Sequence, residues 1–214
     1  LQAARELNIE KVIHTSTSEI YGTAQYIPIN ESHPINPQSP YSATKASADL
    51  LALTYYRSFK TPISIIRPFN TYGPRQSARA IIPTIITQIL NNKEKIKLGS
   101  LSPTRDLTYV KDTVEGFIKV AEQERSIGEI INIGSNFEIS IGDLTKLIAK
   151  ITNRDIEVET EEVRLRPENS EVERLLADTT KAKELLNWSP LYSLEQGLRE
   201  KINIPDKGGY IDYD

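Results

Sequence analysis

Tyr41 and Lys45 lie four positions apart, at the start of a stretch whose apolar spacing predicts a helix over residues 41–58. Residues four apart share one face of a helix, so the phenol and the ammonium point the same way. A nearby ammonium favours a phenolate and lowers the pKa of a tyrosine, which makes such a pair a candidate general base near neutral pH. The same spacing also arises by chance on amphipathic helices, so the pair alone does not define an enzyme.

A second group, Thr17, Ser18 and Glu19, follows directly after an apolar stretch that predicts a buried strand over residues 11–15. Open α/β sheets bind their ligands at the carboxyl ends of the strands. A threonine hydroxyl there can hydrogen-bond a substrate hydroxyl, and an adjacent carboxylate can remove or deliver a proton. An ordinary polar exit from a strand has the same composition and is the alternative.

The third group is RPFNTYGPR, residues 67–75, at the end of a predicted strand over residues 63–67. Its proline, glycine and asparagine residues indicate a fixed loop. Arg67 and Arg75 are predicted to be available for a phosphate group. A structural turn with solvated arginines is the competing interpretation.

The elements that must position these groups alternate between strand and helix. Predicted strands over residues 11–15, 63–67 and 130–134 are separated by helices of ten or more residues, which indicates parallel βαβ units. The fold class is therefore α/β, with part of a doubly wound parallel sheet and a smaller lobe. We assign residues 1–72 and 106–135 to the sheet domain, 73–105 and 136–202 to the lobe, and 203–214 to a tail.

Composition excludes several functions. The chain has 26 Lys and Arg residues against 29 Asp and Glu residues, a net charge of −3, which argues against a nucleic-acid-binding surface. There is no cysteine, so disulfides, thiolate nucleophiles and cysteine-ligated zinc are excluded. With two histidines and no metal-spaced carboxylates, we predict no metal site.

Taken together, the motifs resemble the extended short-chain dehydrogenase/reductase family, specifically its nucleotide-sugar epimerases and dehydratases. The matching segments are STSEIYG (16–22), YSATK (41–45), RPFNTYGPR (67–75), TRDLTYVKD (104–112), INIGS (131–135) and RLRPENSEVERLLAD (164–178). For the fold, the resemblance implies the C-terminal part of a Rossmann-type sheet with a small α/β substrate-binding lobe. For function, it implies a cytoplasmic enzyme that uses NAD and acts on a nucleotide-diphosphate sugar. It implies no nucleic-acid or membrane partner, and a homodimer for the full-length protein.

The resemblance also implies a role for each matching residue. Tyr41 would take the proton of the sugar C4 hydroxyl, Lys45 would assist it and hold the nicotinamide ribose, and Thr17 would orient the C4 oxygen. The cofactor would contact Ser16, Tyr41, Lys45, Pro68 and Phe69. The substrate would contact Asn70, Ile82, Pro83, Arg105, Asn132 and Arg166.

Glu19 bears on the reaction that follows oxidation at C4. A C4 ketone acidifies the C5 hydrogen, and a carboxylate can remove that hydrogen so that the C6 hydroxyl leaves as water. Epimerases do not need this carboxylate. The Thr-Ser-Glu string resembles GDP-mannose 4,6-dehydratases, and the flanking segments are most similar to the 4,6-dehydratases of legionaminic-acid pathways. The expected substrate is a GDP- or UDP-linked N-acetylhexosamine or hexose, with UDP-glucuronate decarboxylase and nucleotide-sugar 4-epimerase as alternatives.

None of the ten glycines forms G-x-G-x-x-G, the motif that cradles the pyrophosphate of a dinucleotide. In the family that this chain resembles, the motif lies on earlier strands, and the chain opens with Leu1. We therefore expect a fragment of a larger enzyme that is inactive in isolation. A truncated, inactive relative is the non-enzyme alternative.

Overall fold

The computed structural model describes residues 1–91, 95–164 and 170–202. Its helices are α1 (Gln2–Glu6), α2 (Pro40–Phe59), α3 (Ile81–Leu90), α4 (Val110–Glu122), α5 (Ile141–Thr152), α6 (Thr180–Leu186) and α7 (Leu194–Ile202). Its strands are β1 (Val12–Thr15), β2 (Ile63–Pro68), β3 (Asn70–Tyr72), β4 (Lys95–Leu98), β5 (Thr104–Tyr109), β6 (Ile130–Ile133), β7 (Glu138–Ser140) and β8 (Glu157–Thr160).

The central sheet has the order β1-β2-β6, and both of its strand pairs are parallel. Successive residues of β2 point to opposite faces of the sheet, as the period of two requires. Ile63 and Ile65 pack with Ala52 of α2, whereas Ile66 packs with Val120 of α4 and Ala182 of α6. Helices on both faces of a parallel sheet confirm the predicted doubly wound arrangement.

A second hydrophobic cluster lies among α3, α5, α7 and the strands β3, β4 and β5. Its fully buried members include Ile82, Ile85, Ile96, Leu144 and Leu198. β3 pairs in parallel with β5, β5 pairs antiparallel with β7, and β4 pairs in parallel with β8. These short ladders hold α3 and α5 beside the carboxyl edge of the central sheet, through β3, which begins two residues after β2.

Residues 171–178 form an extended segment, here called the strap, that joins the two parts of the molecule. On one side its backbone bonds to the loop before α2, with Ala24 N donating to Arg174 O and Ile29 N donating to Leu176 O. On the other side Thr104 N, at the start of β5, donates to Glu173 O. The strap therefore holds the loop after β1 against the first residue of β5.

The local sequence signals place most elements correctly. The sequence predicts a helix over residues 81–90, which is the extent of α3. It also predicts Ser140 as a helix cap, and Ser140 Oγ caps α5 by accepting a hydrogen bond from Asp143 N at 3.0 Å. Two strands were missed, β3 and β7, each of three residues. The residue type of Asp112 predicts that it caps a helix ending near Glu124, and that prediction is wrong. The helix α4 begins at Val110, and the Asp112 carboxylate instead accepts from the backbone of Leu191 and Tyr192.

Across the described residues, none of the helices combines the length and the apolar character that a bilayer span requires.

Candidate active site

The parallel strands β1, β2 and β6 end at one edge of the sheet, and the predicted site residues begin there. After β1 the chain enters a 3-10 helix, Ser18–Tyr21, and Thr17 caps it: Thr17 Oγ1 accepts from Glu19 N at 3.2 Å. Ser18 is buried and Glu19 is half-buried. The cap therefore fixes the backbone of the acidic residue at the carboxyl end of the strand.

A cavity of about 400 Å³ opens beside this turn, between the central sheet and the second hydrophobic cluster. Four residues singled out from the sequence line it: Glu19, Asn70, Ile82 and Arg105. The sequence did not indicate several other lining residues, which include Gln76, Arg79, Arg164 and Glu171. Arg79 lies in a loop whose composition gives no sign of a binding role.

Charge in the cavity is predominantly positive, with three arginines against two glutamates. Arg105 Nη2 lies 2.7 Å from Glu171 Oε1, and both side chains are largely withdrawn from solvent. Asn70 Oδ1 is buried and accepts no hydrogen bond from any described residue. A buried amide oxygen without a donor is costly, so the cavity favours a ligand that brings a hydroxyl or amide N–H to it.

Tyr41 and Lys45 lie on the first turns of α2. The helix begins with a capping box, in which Ser39 Oγ accepts from Ser42 N at 3.1 Å and Ser42 Oγ accepts from Ser39 N at 3.1 Å. Tyr41 is 53% exposed, and Lys45 Nζ donates to Thr15 O at 3.0 Å. The pair thus stands at the carboxyl end of β1 and does not line the cavity that Glu19 lines.

Arg67 was predicted to be available for phosphate, and that prediction is wrong. Its side chain is 1% exposed; Nε and Nη2 bind Asp49 Oδ2 at 3.0 and 2.9 Å, and Nη1 donates to Tyr21 Oη at 2.8 Å. Burial by itself raises the pKa of Asp49, but the hydrogen bond from His14 and the charge of Arg67 outweigh it, and the pKa is lowered. One sequence signal could have indicated this pair: Asp49 occurs at helical spacing from Ala46 and Ala52, which share the buried face of α2.

Asn132 lies in the interior, away from the cavity. Its side-chain oxygen accepts from Tyr21 Oη at 2.8 Å, and its amide nitrogen donates to Ile29 O at 3.0 Å. Both halves of the Asn132 amide therefore have protein partners, and the nucleotide contact expected for Asn132 stays a prediction.

Most of the other residues predicted to contact cofactor or substrate are buried or half-buried. Phe69 is buried in a cluster with Ile20, Tyr21 and Ala46, and Ser16 and Pro83 are also buried, whereas Pro68 is half-buried. Arg166, predicted to contact substrate, lies outside the described residues.

Asp106 organises the end of β6 and was not singled out from the sequence. Its carboxylate accepts hydrogen bonds from Ser135 N at 2.7 Å, Asn136 N at 3.1 Å and Ala177 N at 3.1 Å. Burial raises the pKa of Asp106 although these bonds favour the charged form. The residue joins β5, the turn after β6 and the strap, and so supports one wall of the site.

Comparison with known proteins adds a family match to this geometry. The family model described as GDP-mannose 4,6 dehydratase matches residues 1–201. The chain is 33% identical over 207 residues to dTDP-D-glucose 4,6-dehydratase of Homo sapiens, and 35% identical over 203 residues to the uncharacterized UDP-glucose epimerase YtcB of Bacillus subtilis. Each match covers 94% of this chain.

Two solved structures are similar over 94% of the chain. The dTDP-glucose 4,6-dehydratase from Bacillus anthracis, in complex with NAD, has a TM-score of 0.84 at 32% identity. The UDP-glucuronic acid 4-epimerase from Bacillus cereus, in complex with UDP-glucuronic acid and NAD, has a TM-score of 0.86 at 34% identity. This chain covers 63% of each of those two structures, and it spans 58% and 62% of the lengths of the human and Bacillus subtilis relatives.

Proposed function

Because the chain belongs to the GDP-mannose 4,6-dehydratase family, we propose that it supplies the catalytic and substrate-binding part of an NAD-dependent nucleotide-sugar 4,6-dehydratase. The observation that carries the proposal is the position of Glu19. Its carboxylate lines the same cavity as Asn70 and Arg105, at the carboxyl edge of the sheet. Removal of a C5 proton needs a carboxylate at the sugar, whereas epimerisation at C4 does not.

The first half of the proposed reaction uses the pair on α2. Tyr41 Oη accepts the proton of the sugar C4 hydroxyl as the C4 hydrogen leaves with its electron pair, and a C4 ketone forms. Lys45 stands one helical turn away from Tyr41 and is proposed to assist it and to hold the nicotinamide ribose. The Thr17 hydroxyl orients the C4 oxygen, since it stands at the end of β1 to which Lys45 is bonded.

The second half uses Glu19. The C4 ketone acidifies the C5 hydrogen, which the Glu19 carboxylate removes as a proton. The same carboxyl then gives that proton to the departing C6 hydroxyl, which leaves as water, with the buried Ser18 hydroxyl beside it. The proton held by Tyr41 becomes the one that C5 receives, so the protein ends in its starting protonation state.

The residues present fit the nicotinamide end of a dinucleotide. Tyr41 is exposed and Lys45 is half-buried at the carboxyl edge of parallel strands, the place where α/β sheets hold such ligands. NAD, when bound, would accept the hydride from C4 and return it to C6. Lys45 and Tyr41 would contact its ribose and nicotinamide, and Ser16, Pro68 and Phe69 would form the supporting wall.

The substrate class follows from the cavity. Arg105, Arg79 and Arg164 surround a space of about 400 Å³, which suits a diphosphate between a sugar and a nucleoside. Asn70 and Ile82 would contact the sugar and the base. A GDP- or UDP-linked N-acetylhexosamine or hexose remains the proposed substrate. We add dTDP-glucose because two relatives of this chain are named as dTDP-glucose 4,6-dehydratases.

The full-length protein is also proposed to be a homodimer that pairs through α2. The outer face of this helix exposes large apolar side chains, with Leu50 59% and Leu51 54% exposed. Such a face on a 20-residue helix is typical of a helix-pairing surface. Sedimentation of the full-length protein tests this, and a monomer at micromolar concentration contradicts it.

The activity is tested by incubating the full-length protein with NAD and, in separate reactions, GDP-N-acetylglucosamine, UDP-N-acetylglucosamine, dTDP-glucose and UDP-glucuronate. Mass spectrometry of the products distinguishes the reactions. Loss of one water from a hexose or N-acetylhexosamine substrate supports the proposal. Loss of carbon dioxide from UDP-glucuronate would identify a decarboxylase instead.

A 4-epimerase is the second candidate, because the solved epimerase structure matches this chain as well as the dehydratase does. An epimerase would give a product of unchanged mass with inverted C4, which chromatography separates. It would also be insensitive to loss of the Glu19 carboxylate.

A further inference from the structure

The face of α2 that packs on the central sheet is made almost wholly of small side chains. Its buried residues are Ser42, Ala46, Asp49 and Ala52. Small residues let a helix approach a sheet closely, but they make shallow ridges that resist sliding poorly. One charged side chain, Asp49, breaks this pattern. It lies about one helical turn after Lys45, which lies about one turn after Tyr41.

Asp49 joins α2 to two strands at once. Its Oδ2 accepts from Arg67 Nε at 3.0 Å and Nη2 at 2.9 Å, and its Oδ1 lies 3.1 Å from His14 Nε2. Both Asp49 and Arg67 have side chains 1% exposed. Charge-assisted bonds in a buried setting are strong and directional, so they define one position of the helix along the sheet.

The connection continues to the turn that carries Glu19. Arg67 Nη1 donates to Tyr21 Oη at 2.8 Å, and Tyr21 is the last residue of the 3-10 helix Ser18–Tyr21. Tyr21 Oη in turn donates to Asn132 Oδ1 on β6. A single guanidinium thus bonds to the helix of Tyr41 and Lys45 and to the turn of Thr17 and Glu19.

We propose that the buried Asp49–Arg67 ion pair is a positioning device that aligns Tyr41 and Lys45 with Thr17 and Glu19. This inference rests on the function proposed above, and it assigns to Arg67 a role different from phosphate binding. Neither Asp49 nor Arg67 touches the cavity, so the pair acts through the elements that it holds.

A double variant separates alignment from stability. Removing one partner leaves a buried charge unpaired, which strongly destabilises a protein. Replacing both partners by apolar residues of similar volume is often tolerated. We therefore choose Asp49→Leu with Arg67→Met in the full-length protein, together with the single variant Asp49→Asn. A matched control is Glu129→Gln, which breaks a 2.6 Å ion pair with Lys181 and leaves the Asp49–Arg67 pair intact.

We expect the double variant to melt cooperatively, because the apolar pair fills the same space. Its kcat should fall by about tenfold to a hundredfold, since displacement of a reacting group by an ångström has effects of this size. Its KM for the nucleotide sugar should stay within about threefold, since neither α2 nor the Asp49–Arg67 pair lines the cavity. The control should keep both constants.

A double variant that folds and keeps its kcat overturns the inference, because the pair would then contribute stability alone. If the unmodified protein turns over no nucleotide sugar, the proposed function fails. Crystal structures of the unmodified protein and the double variant then test whether the Asp49–Arg67 pair positions α2. A shift of α2 along β1 supports the inference; superimposable helices refute it. Should Asp49→Asn fail to fold, the double variant still gives either result.

Discussion

The 3-10 turn after β1 positions Glu19, and Glu19 lines the cavity that we propose binds the substrate. Thr17 caps that turn, so replacing the Glu19 carboxylate by an amide should leave the local structure intact. This makes the residue suitable for a test of dehydration without unfolding.

Glu19→Gln should lower the rate of water loss by about 10² to 10⁴, the range for loss of a general base. Oxidation at C4 should persist, because Tyr41 and Lys45 are unchanged, so reduced cofactor should accumulate on the enzyme. Absorbance of the reduced nicotinamide and product mass measure the two steps. Glu122→Gln, an exposed substitution on α4, is the control, and normal dehydration by Glu19→Gln would contradict the assignment.

Arg105 should bind the diphosphate of the substrate, and its pair with Glu171 complicates a single substitution, since that would leave a largely buried carboxylate without its partner. The double change Arg105→Gln with Glu171→Gln removes both charges. We expect a KM at least about tenfold higher with little change in kcat, as for a group that binds substrate and transition state alike. An unchanged KM would show that Arg105 serves the fold only.

Secondary elements show where sequence reasoning succeeds. Helix ends that depend on local chemistry can be predicted: the sequence predicts that Asn8 and Asn187 end helices, and both adopt positive φ at or next to a helix end, where asparagine tolerates the left-handed conformation. β3 and β7 were missed because three residues are too few to show a period, and their pairing depends on distant β5.

The site was predictable only where it depends on local chemistry. Thr17, Glu19, Tyr41 and Lys45 stand at ends of elements that the sequence shows. Arg67 was misjudged because its partner Asp49 lies 18 positions away, and only the packed helix brings the two together. Arg79 and Glu171 reach the cavity through tertiary packing, which leaves no local pattern in the chain.

The cap of α2 holds the first turn on which Tyr41 stands. Ser39→Ala removes the side-chain oxygen that accepts from Ser42 N, and should cost about 1 kcal/mol of unfolding free energy. Urea unfolding measures the difference. Ser47→Ala, on the exposed side of the same helix, should change stability by less than about 0.5 kcal/mol. Equal losses in the two variants would show that the cap contributes nothing.

Lys201 on α7 donates to Gly73 O at 2.8 Å, and burial lowers its pKa to about 8. From about pH 8 to pH 10 the unfolded chain therefore holds more protons than the folded one at this site, and the Lys201 contribution to stability rises with pH. Above about pH 10 the effect is opposed by Tyr21, whose pKa burial raises to about 12.

Lys201→Met should flatten this rise in urea unfolding measured across the same pH range. Lys146→Met, which removes an exposed ammonium, is the control and should keep it. A pH profile of Lys201→Met that matches the unmodified chain would contradict the assignment.

At the scale of the whole molecule, the described sheet leaves β1 paired on one side only, to β2. Unpaired strand edges and exposed apolar side chains, such as Leu7 at 72% exposure, favour association. We expect the 214-residue chain, expressed by itself, to self-associate and to bind NAD weakly. Light scattering and calorimetric titration measure both. A monodisperse sample with micromolar affinity for NAD would contradict this expectation.

The strap pairs with residues that lie about 150 positions earlier in the chain. Glu173 N donates to Thr23 Oγ1 across a separation of 150 positions, and Ile29 N bonds to Leu176 O over a similar distance. During synthesis the loop after β1 leaves the ribosome long before its partner exists. Contacts between distant positions are slow to form, so we expect the carboxyl edge of the sheet to stay open until residues 171–178 have been synthesised. The strap should therefore make closure of this edge a late event in folding.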